Sequence, residues 1–229
     1  MENRSVAIDG PAGAGKSTLA KMAAREFGFI YVDTGALYRC VGLFALKNGV
    51  GSRDAAGIEG LLSDMSIEMR HDENGVQIML LNNVDVTDDI RTPEVSVYAS
   101  DVSAIPAVRD FLFSQQKEMA EKYNVVMDGR DIGTVVLPGA GLKVFLTAAP
   151  EVRARRRYKE LAEKGVVTTY DEVLAGVNER DYNDSHREVA PLKPAADSVL
   201  LDTSDIDLDE SFKKLCSIIR EKLQNDVRI

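Results

Sequence analysis

The sequence is poor in the residues that staple or metallate small domains. Its 229 residues include only two cysteines, Cys40 and Cys216, and two histidines, His71 and His186. The cysteines are far apart and form no C-x-x-C, which fits a reducing compartment and argues against a disulfide framework. The histidines lack metal-ligand spacing, so no zinc is expected. No signal-peptide core follows Met1, and no apolar run reaches the roughly 18 residues that would span a bilayer. The expected location is therefore cytoplasmic, with no membrane partner. Internal repeats and low-complexity tracts are also missing. Positive charge is in deficit, with a formal net charge of -9. Non-specific nucleic-acid binding normally needs a broad basic surface, so no nucleic-acid partner is expected either.

Enough apolar residues are present, at 45%, to bury a full core. That core could belong to one large domain or to a domain carrying an insertion. The positive charge that exists is local: Arg153, Arg155, Arg156 and Arg157 fall in one short stretch. An acidic chain with arginines gathered at a few places suits a small polyanion held in a cleft.

The most informative stretch is Gly10, Pro11, Ala12, Gly13, Ala14, Gly15, Lys16, Ser17 and Thr18, between an apolar run at 6–8 and a helix-like run at 16–26. It fits the P-loop pattern G-x-x-x-x-G-K-[ST]. Glycines let the backbone curl so that successive N–H groups and the next helix N-terminus face phosphates, and Lys16 adds a mobile cation. Ser17 would place its hydroxyl on a magnesium ion bridging those phosphates. A plain glycine turn before a helix is the simpler reading, and the flanking strand and helix weigh against it.

Further strand-like runs lie at 29–33, 125–128, 142–147 and 198–202, alternating with helical patterns as in an α/β protein with a parallel sheet. Thr34 and Arg39 fall just after the second run, at the sheet edge where open parallel sheets bind ligands. A short helix is expected over 52–62. Ile67 and Met69, then Val76, Ile78 and Leu80, then Val84 and Val86 alternate with other residues. Turn chemistry at 72–75 and 82–83 separates these groups, which predicts three short antiparallel strands. Residues 64–92 thus read as an insertion. Asp128 ends a buried-type strand, where P-loop proteins complete magnesium binding, although a turn residue would also fit there. In the helix after Pro150, Arg153, Arg156 and Arg157 share a face. Arg180, Asp184 and Arg187 would share another.

Taken together, the motifs resemble bacterial-type cytidylate kinases of the nucleoside monophosphate kinase family. The resemblance covers nearly the whole chain. It rests on GPAGAGKST at 10–18, DTGALYR at 33–39, DGRDIGTVV at 128–136, RARRR at 153–157, RDYNDSHR with APLKPAAD at 180–197, and the three-strand insertion. It implies a P-loop NTPase fold of five parallel strands with helices on both faces, the insertion, and a helical lid. Residues 1–33, 93–150 and 190–229 would form the core, 34–92 the acceptor-nucleotide region and 151–189 the lid. The implied reaction phosphorylates CMP and dCMP with ATP and Mg2+, by a chain expected to act as a monomer. On matching positions Arg39, Arg130 and Arg187 would hold the acceptor phosphate. Ser100, Arg109 and Asp131 would read cytosine, Arg180 and Asp184 would reach the sugar, and Thr34 would offer the substrate a hydroxyl where some members carry Ser. Lys16, Arg130, Arg153 and Arg156 would serve the transfer, and Ser17 and Asp128 the metal.

Two other readings bear on these residues. A P-loop kinase for another small acceptor shares the donor site. A GTP-hydrolysing switch is disfavoured because there is no N-K-x-D and because a switch has no use for a second anion site. From sequence alone, Asp131→Ala is expected to disturb base preference more than stability.

Overall fold

The computed structural model describes residues 4–73 and 76–225. Strand β1 (Ser5–Asp9) buries Val6, Ala7 and Ile8, and the chain then turns through residues 10–15 into α1 (Lys16–Phe27). Gly10 takes φ 150° and lies so close to β7 (Leu142–Thr147) that a Cβ there would overlap the Leu146 carbonyl oxygen. Only glycine fits such a position, both for its φ and for the space. Gly10→Ala is expected to destabilise the fold by about 3 kcal/mol or more, read from urea unfolding, since backbone must move to admit the methyl group.

Gly28, in the left-handed conformation, ends α1, and β2 (Ile30–Asp33) follows. The Asp33 side chain caps α2 (Thr34–Lys47) by accepting from the Ala36 N–H. Asp54 caps α3 (Ala55–Leu61) in the same way through Gly57, so this helix starts later than the sequence pattern suggests. The insertion then forms β3 (Ile67–His71), β4 (Gln77–Leu81) and β5 (Val84–Asp85), an antiparallel sheet of three strands in the order β3-β4-β5. Asn82 and Asn83 turn β4 into β5 with φ of 50° and 65°, the chemistry a tight hairpin turn demands. The turn expected at 72–75 includes Asn74 and Gly75, which lie outside the described residues.

In β4 the buried residues are Gln77, Met79 and Leu81, while Ile78 and Leu80 are half-buried. Val76 is exposed. A strand apolar on both faces does not reveal its own phase by alternation.

Thr92 caps α4 (Pro93–Val102), which leads into α5 (Pro106–Lys122) and β6 (Val125–Gly129). A π-helical turn at Ile132–Val136 precedes β7. Helices α6 (Pro150–Glu163) and α7 (Tyr170–His186) pack on each other, and Thr169 with Glu172 forms a capping box at the start of α7. Strand β8 (Val199–Asp202) and α8 (Leu208–Asn225) close the described chain.

The five-stranded sheet is parallel, with order β2-β6-β1-β7-β8. On one face Val6, Ile8 and Val144 pack with Leu19 of α1 and Leu215 and Ile219 of α8. On the other, Ala7, Val32 and Met127 meet Ile132 and Val136, with Phe113 and Met119 of α5 against them. A third cluster joins Leu37, Val41, Met79, Ile90 and Leu112, tying the insertion to α2 and α5. The expected sheet, its helical layers and the insertion are therefore all present.

Candidate active site

Register brings the phosphate loop and the candidate metal residue together. Ile8 pairs with Asp128 across β1 and β6, and Asp33 pairs with Asp128 across β2 and β6. Asp128 thus sits at the carboxyl edge of a central strand, beside the loop that leaves β1. The Ser17 hydroxyl donates to Asp128 Oδ2 at 2.9 Å, the buried Tyr31 hydroxyl donates to Oδ1 at 2.8 Å, and Thr34 Oγ1 donates to the Asp128 carbonyl at 2.8 Å. Burial pushes the Asp128 carboxyl up, helped by the charge of Asp33 and opposed by Lys16.

Lys16 is 5% exposed, and its ammonium donates to the Pro11 carbonyl at 2.8 Å, folded over its own loop. Burial, with Arg130 nearby, lowers the Lys16 pKa to about 7 against the pull of Asp128. A polyphosphate needs the ammonium form, so nucleotide affinity should fall as pH rises above about 7, and binding there should take up a proton. Calorimetry in two buffers of different ionisation enthalpy near pH 8 should show up to about one proton more taken up by the parent protein than by Lys16→Met.

A cavity of about 670 Å³ runs from Gly13, Lys16 and Ser17 to a second set of charged residues. Arg39, Arg130, Asp131 and Arg187 line that second compartment, and Ala12, Thr34, Ser100, Asp128, Arg180 and Asp184 are also on the walls. Arg39 donates to the Ile90 carbonyl at 3.0 Å and to Ser96 Oγ at 2.6 Å. Arg130 Nε donates to Asp184 Oδ2 at 2.7 Å. Burial raises the Asp184 pKa, but Arg130 and Arg180 outweigh it and hold the carboxyl below its ordinary value. Arg180 is lowered to about 10 by burial and by Arg130, and its buried Nε has no hydrogen-bond partner among the described residues. A buried donor left in this state fits a site that donates hydrogen bonds to ligand oxygen atoms.

Asp131 is held from two sides. Arg109 pairs with its Oδ2, and Arg187 NH2 reaches its Oδ1 at 3.2 Å. Arg109 stands behind Asp131 and is itself buried rather than part of the cavity wall.

The arginines of α6 divide. Arg153, 2% exposed, donates to the Ala12 carbonyl at 3.1 Å and pairs with Asp181. Arg157 lines the cavity and pairs with Glu160. Arg156 is turned to the loop after β8, donating to the Thr203 carbonyl at 2.8 Å. Gly10, Pro11, Ala14, Gly15 and Thr18 shape the phosphate loop without lining the larger cavity.

Sequence reasoning missed Tyr31, Tyr38 and Arg91. Tyr38 and Arg91 line the cavity, and Arg91 pairs with Asp33 at 3.0 Å. Tyr31 carried a usable signal, a hydroxyl two residues before Asp33 on a strand beside the magnesium candidate.

A parallel sheet with a phosphate loop at its carboxyl edge, opening on an arginine-lined second compartment, is the build of a P-loop kinase. More narrowly, the chain belongs to the cytidylate kinase family, whose model matches residues 6–221. It is 46% identical over 227 residues to a cytidylate kinase of Caldicellulosiruptor bescii, covering 99% of this chain and 100% of that one. It is 47% identical over 220 residues to a cytidylate kinase of Clostridium botulinum, covering 96% and 99%. Among solved structures, an uncharacterized protein from Eubacterium ventriosum shares the fold, with TM-score 0.54 at 13% identity, covering 96% of this chain and 99% of that one.

Proposed function

We propose that the protein transfers the terminal phosphoryl group of ATP to CMP and dCMP, giving ADP with CDP or dCDP. The observation that carries this reading is the continuous cavity joining the phosphate loop to the arginine compartment. A nucleotide hydrolase needs the first site; a phosphotransferase needs both.

Lys16 and the loop N–H groups hold the donor phosphates, with Lys16 exchanging the Pro11 carbonyl for a phosphate oxygen. Arg39, Arg130 and Arg187 hold the acceptor phosphate, because planar guanidinium forks bind phosphate oxygens in pairs. The two anions are thereby brought into line, which is most of what phosphoryl transfer asks of a protein. Ser100 and Asp131 face the cytosine, with Arg109 holding Asp131 from behind, and Arg180 and Asp184 face the sugar. When the acceptor phosphate draws Arg187, Asp131 Oδ1 is released to accept from the exocyclic amine. Uracil presents an oxygen at that position.

The donors at Ser17 and Asp128 are hard oxygens and fit magnesium. Among the described residues, no cluster of three or more His, Cys, Asp or Glu side chains is arranged to hold a metal. That also suits magnesium, which takes one or two protein ligands and completes its shell with phosphate and water. Ser17 and Asp128 would hold the ion, whose charge would offset that of the donor phosphates. Arg153, already against the loop at Ala12, and Arg157, on the cavity wall, are the lid arginines best placed to meet the moving charge. Arg156 joins them only by giving up Thr203.

On this reading residues 34–92 form the acceptor side and 151–189 the lid, whose closure keeps water from competing as acceptor. One chain supplies every group invoked, which is consistent with a protein that acts as a monomer, and light scattering tests that. No helix among the described residues is long and apolar enough to cross a membrane. The cytoplasm, where both nucleotides occur, is the proposed location.

Chromatography of the products decides between transfer and hydrolysis. ADP and CDP should appear in equal amounts, with little ADP when CMP is omitted. ADP without CDP would refute the proposal.

A further inference from the structure

In the five-stranded sheet β2 is an edge strand. The Ile30 N–H donates inward to the Asn124 carbonyl, so Ile30 and Val32 face β6. By the alternation of a strand, the polar backbone groups of Tyr31 and Asp33 point to the open edge. Unpaired edge groups invite wrong partners or cost desolvation when covered, and proteins usually shield them.

Two side chains of the insertion meet two of these groups, the Tyr31 carbonyl and the Asp33 N–H. The His71 ring Nε2 lies 3.0 Å from the Tyr31 carbonyl, and the Gln77 Oε1 accepts from the Asp33 N–H at 2.9 Å. A carbonyl can only accept, so His71 carries a proton on Nε2. His71 and Gln77 are cross-strand partners in the β3–β4 ladder, which sets them side by side at the spacing of the groups they meet. Gln77 is 8% exposed, and its amide nitrogen is turned to the Met79 sulfur at 3.1 Å, which orients the oxygen to Asp33. Arg91, from the end of the same insertion, adds a contact to Asp33 Oδ2 at 3.0 Å.

We infer that the antiparallel insertion braces the free edge of β2, and that His71 and Gln77 are positioning residues for the Tyr31–Asp128–Ser17 group beside the phosphate loop. Tyr31 is the link. Its carbonyl is held by His71, while its hydroxyl donates to Asp128 Oδ1 at 2.8 Å and leaves Oδ2 to Ser17 at 2.9 Å. If the edge of β2 shifts, the tyrosine hydroxyl withdraws and the carboxylate loses its fixed orientation. Misplacement of a catalytic shell by about 1 Å is enough to cost up to about 100-fold in rate. The His71 contact acts through Tyr31 and Asp128 on the donor side of the cleft, so its loss acts on turnover rather than on CMP affinity. This inference rests on the kinase reading for its kinetic half only.

The test combines hydrogen exchange with kinetics. In Gln77→Leu, the Asp33 amide should exchange about tenfold faster or more, because its acceptor is gone, while the Ile30 and Val32 amides keep their rates. His71→Leu should lower kcat about tenfold with the CMP dissociation constant within about twofold. His71→Gln, which keeps an N–H near the place of Nε2, should recover most of that loss. His71→Leu combined with Tyr31→Phe should be no slower than Tyr31→Phe alone, since both act through the same carboxylate. Unchanged Asp33 exchange overturns the brace. Losses that multiply, or that appear as weaker CMP binding, overturn the positioning role. A parent protein that fails to phosphorylate CMP would instead overturn the kinase reading and leave the exchange result standing.

Discussion

Lys16→Met should lower kcat for CMP phosphorylation by about 10³-fold while leaving CMP affinity within about twofold. The loss corresponds to about 4 kcal/mol of transition-state stabilisation. Methionine keeps the buried stem and removes the charge, so the 5% exposed site is not left with a large void. The ammonium now rests on the Pro11 carbonyl, on the donor side of the cleft. The arginines of the second compartment do not depend on it for a partner: Arg39 is held by Ile90 and Ser96, Arg130 by Asp184 and Arg187 by Asp131. Stopped-turnover assays and CMP titration together separate the effects. An equal loss of CMP affinity would mean that Lys16 serves the acceptor as well.

Asp131→Asn should reduce the CMP-to-UMP ratio of kcat/KM by about tenfold or more, since one well-placed hydrogen bond to a base edge is worth about 1–3 kcal/mol. It should also destabilise the fold by about 3 kcal/mol. The second effect corrects the expectation from sequence alone. Arg109 and Arg187 have side chains only 9% and 7% exposed, and both spend hydrogen bonds on Asp131. Removing the negative charge takes the ion-pair partner from two buried cations, leaving Arg109 the Ser103 carbonyl and Arg187 the Ala190 carbonyl and the charge of Asp184. Alanine would add a cavity to that cost, which makes it a stability mutation before it is a specificity mutation. Because the ratio compares two acceptors on one preparation, it is insensitive to the folded fraction. A ratio unchanged from the parent would remove Asp131 from base reading.

What could be read in advance follows how local each feature is. The phosphate loop is written in consecutive residues, and the five strands are continuous apolar runs, so both were legible. The insertion was legible as three strands but not in phase, because β4 is apolar on both faces and its buried polar residue, Gln77, looks like a surface residue in the sequence. Its partner Asp33 is 44 residues away. Tyr31 and Asp128 are separated by 97 residues, so no pattern of spacing could announce their hydrogen bond. The lid arginines show the same limit at short range. Arg156 and Arg157 differ by about 100° around the helix, and helical spacing groups them together. Packing separates them, since Thr203 takes one and the cavity takes the other.

The most direct test of the account is the specificity constant measured across acceptors at fixed, saturating ATP and magnesium. CMP and dCMP should exceed UMP by about tenfold or more, as expected from a single base-reading carboxylate, and should exceed AMP and shikimate as well. UMP, AMP or shikimate turned over as well as CMP would contradict the assignment.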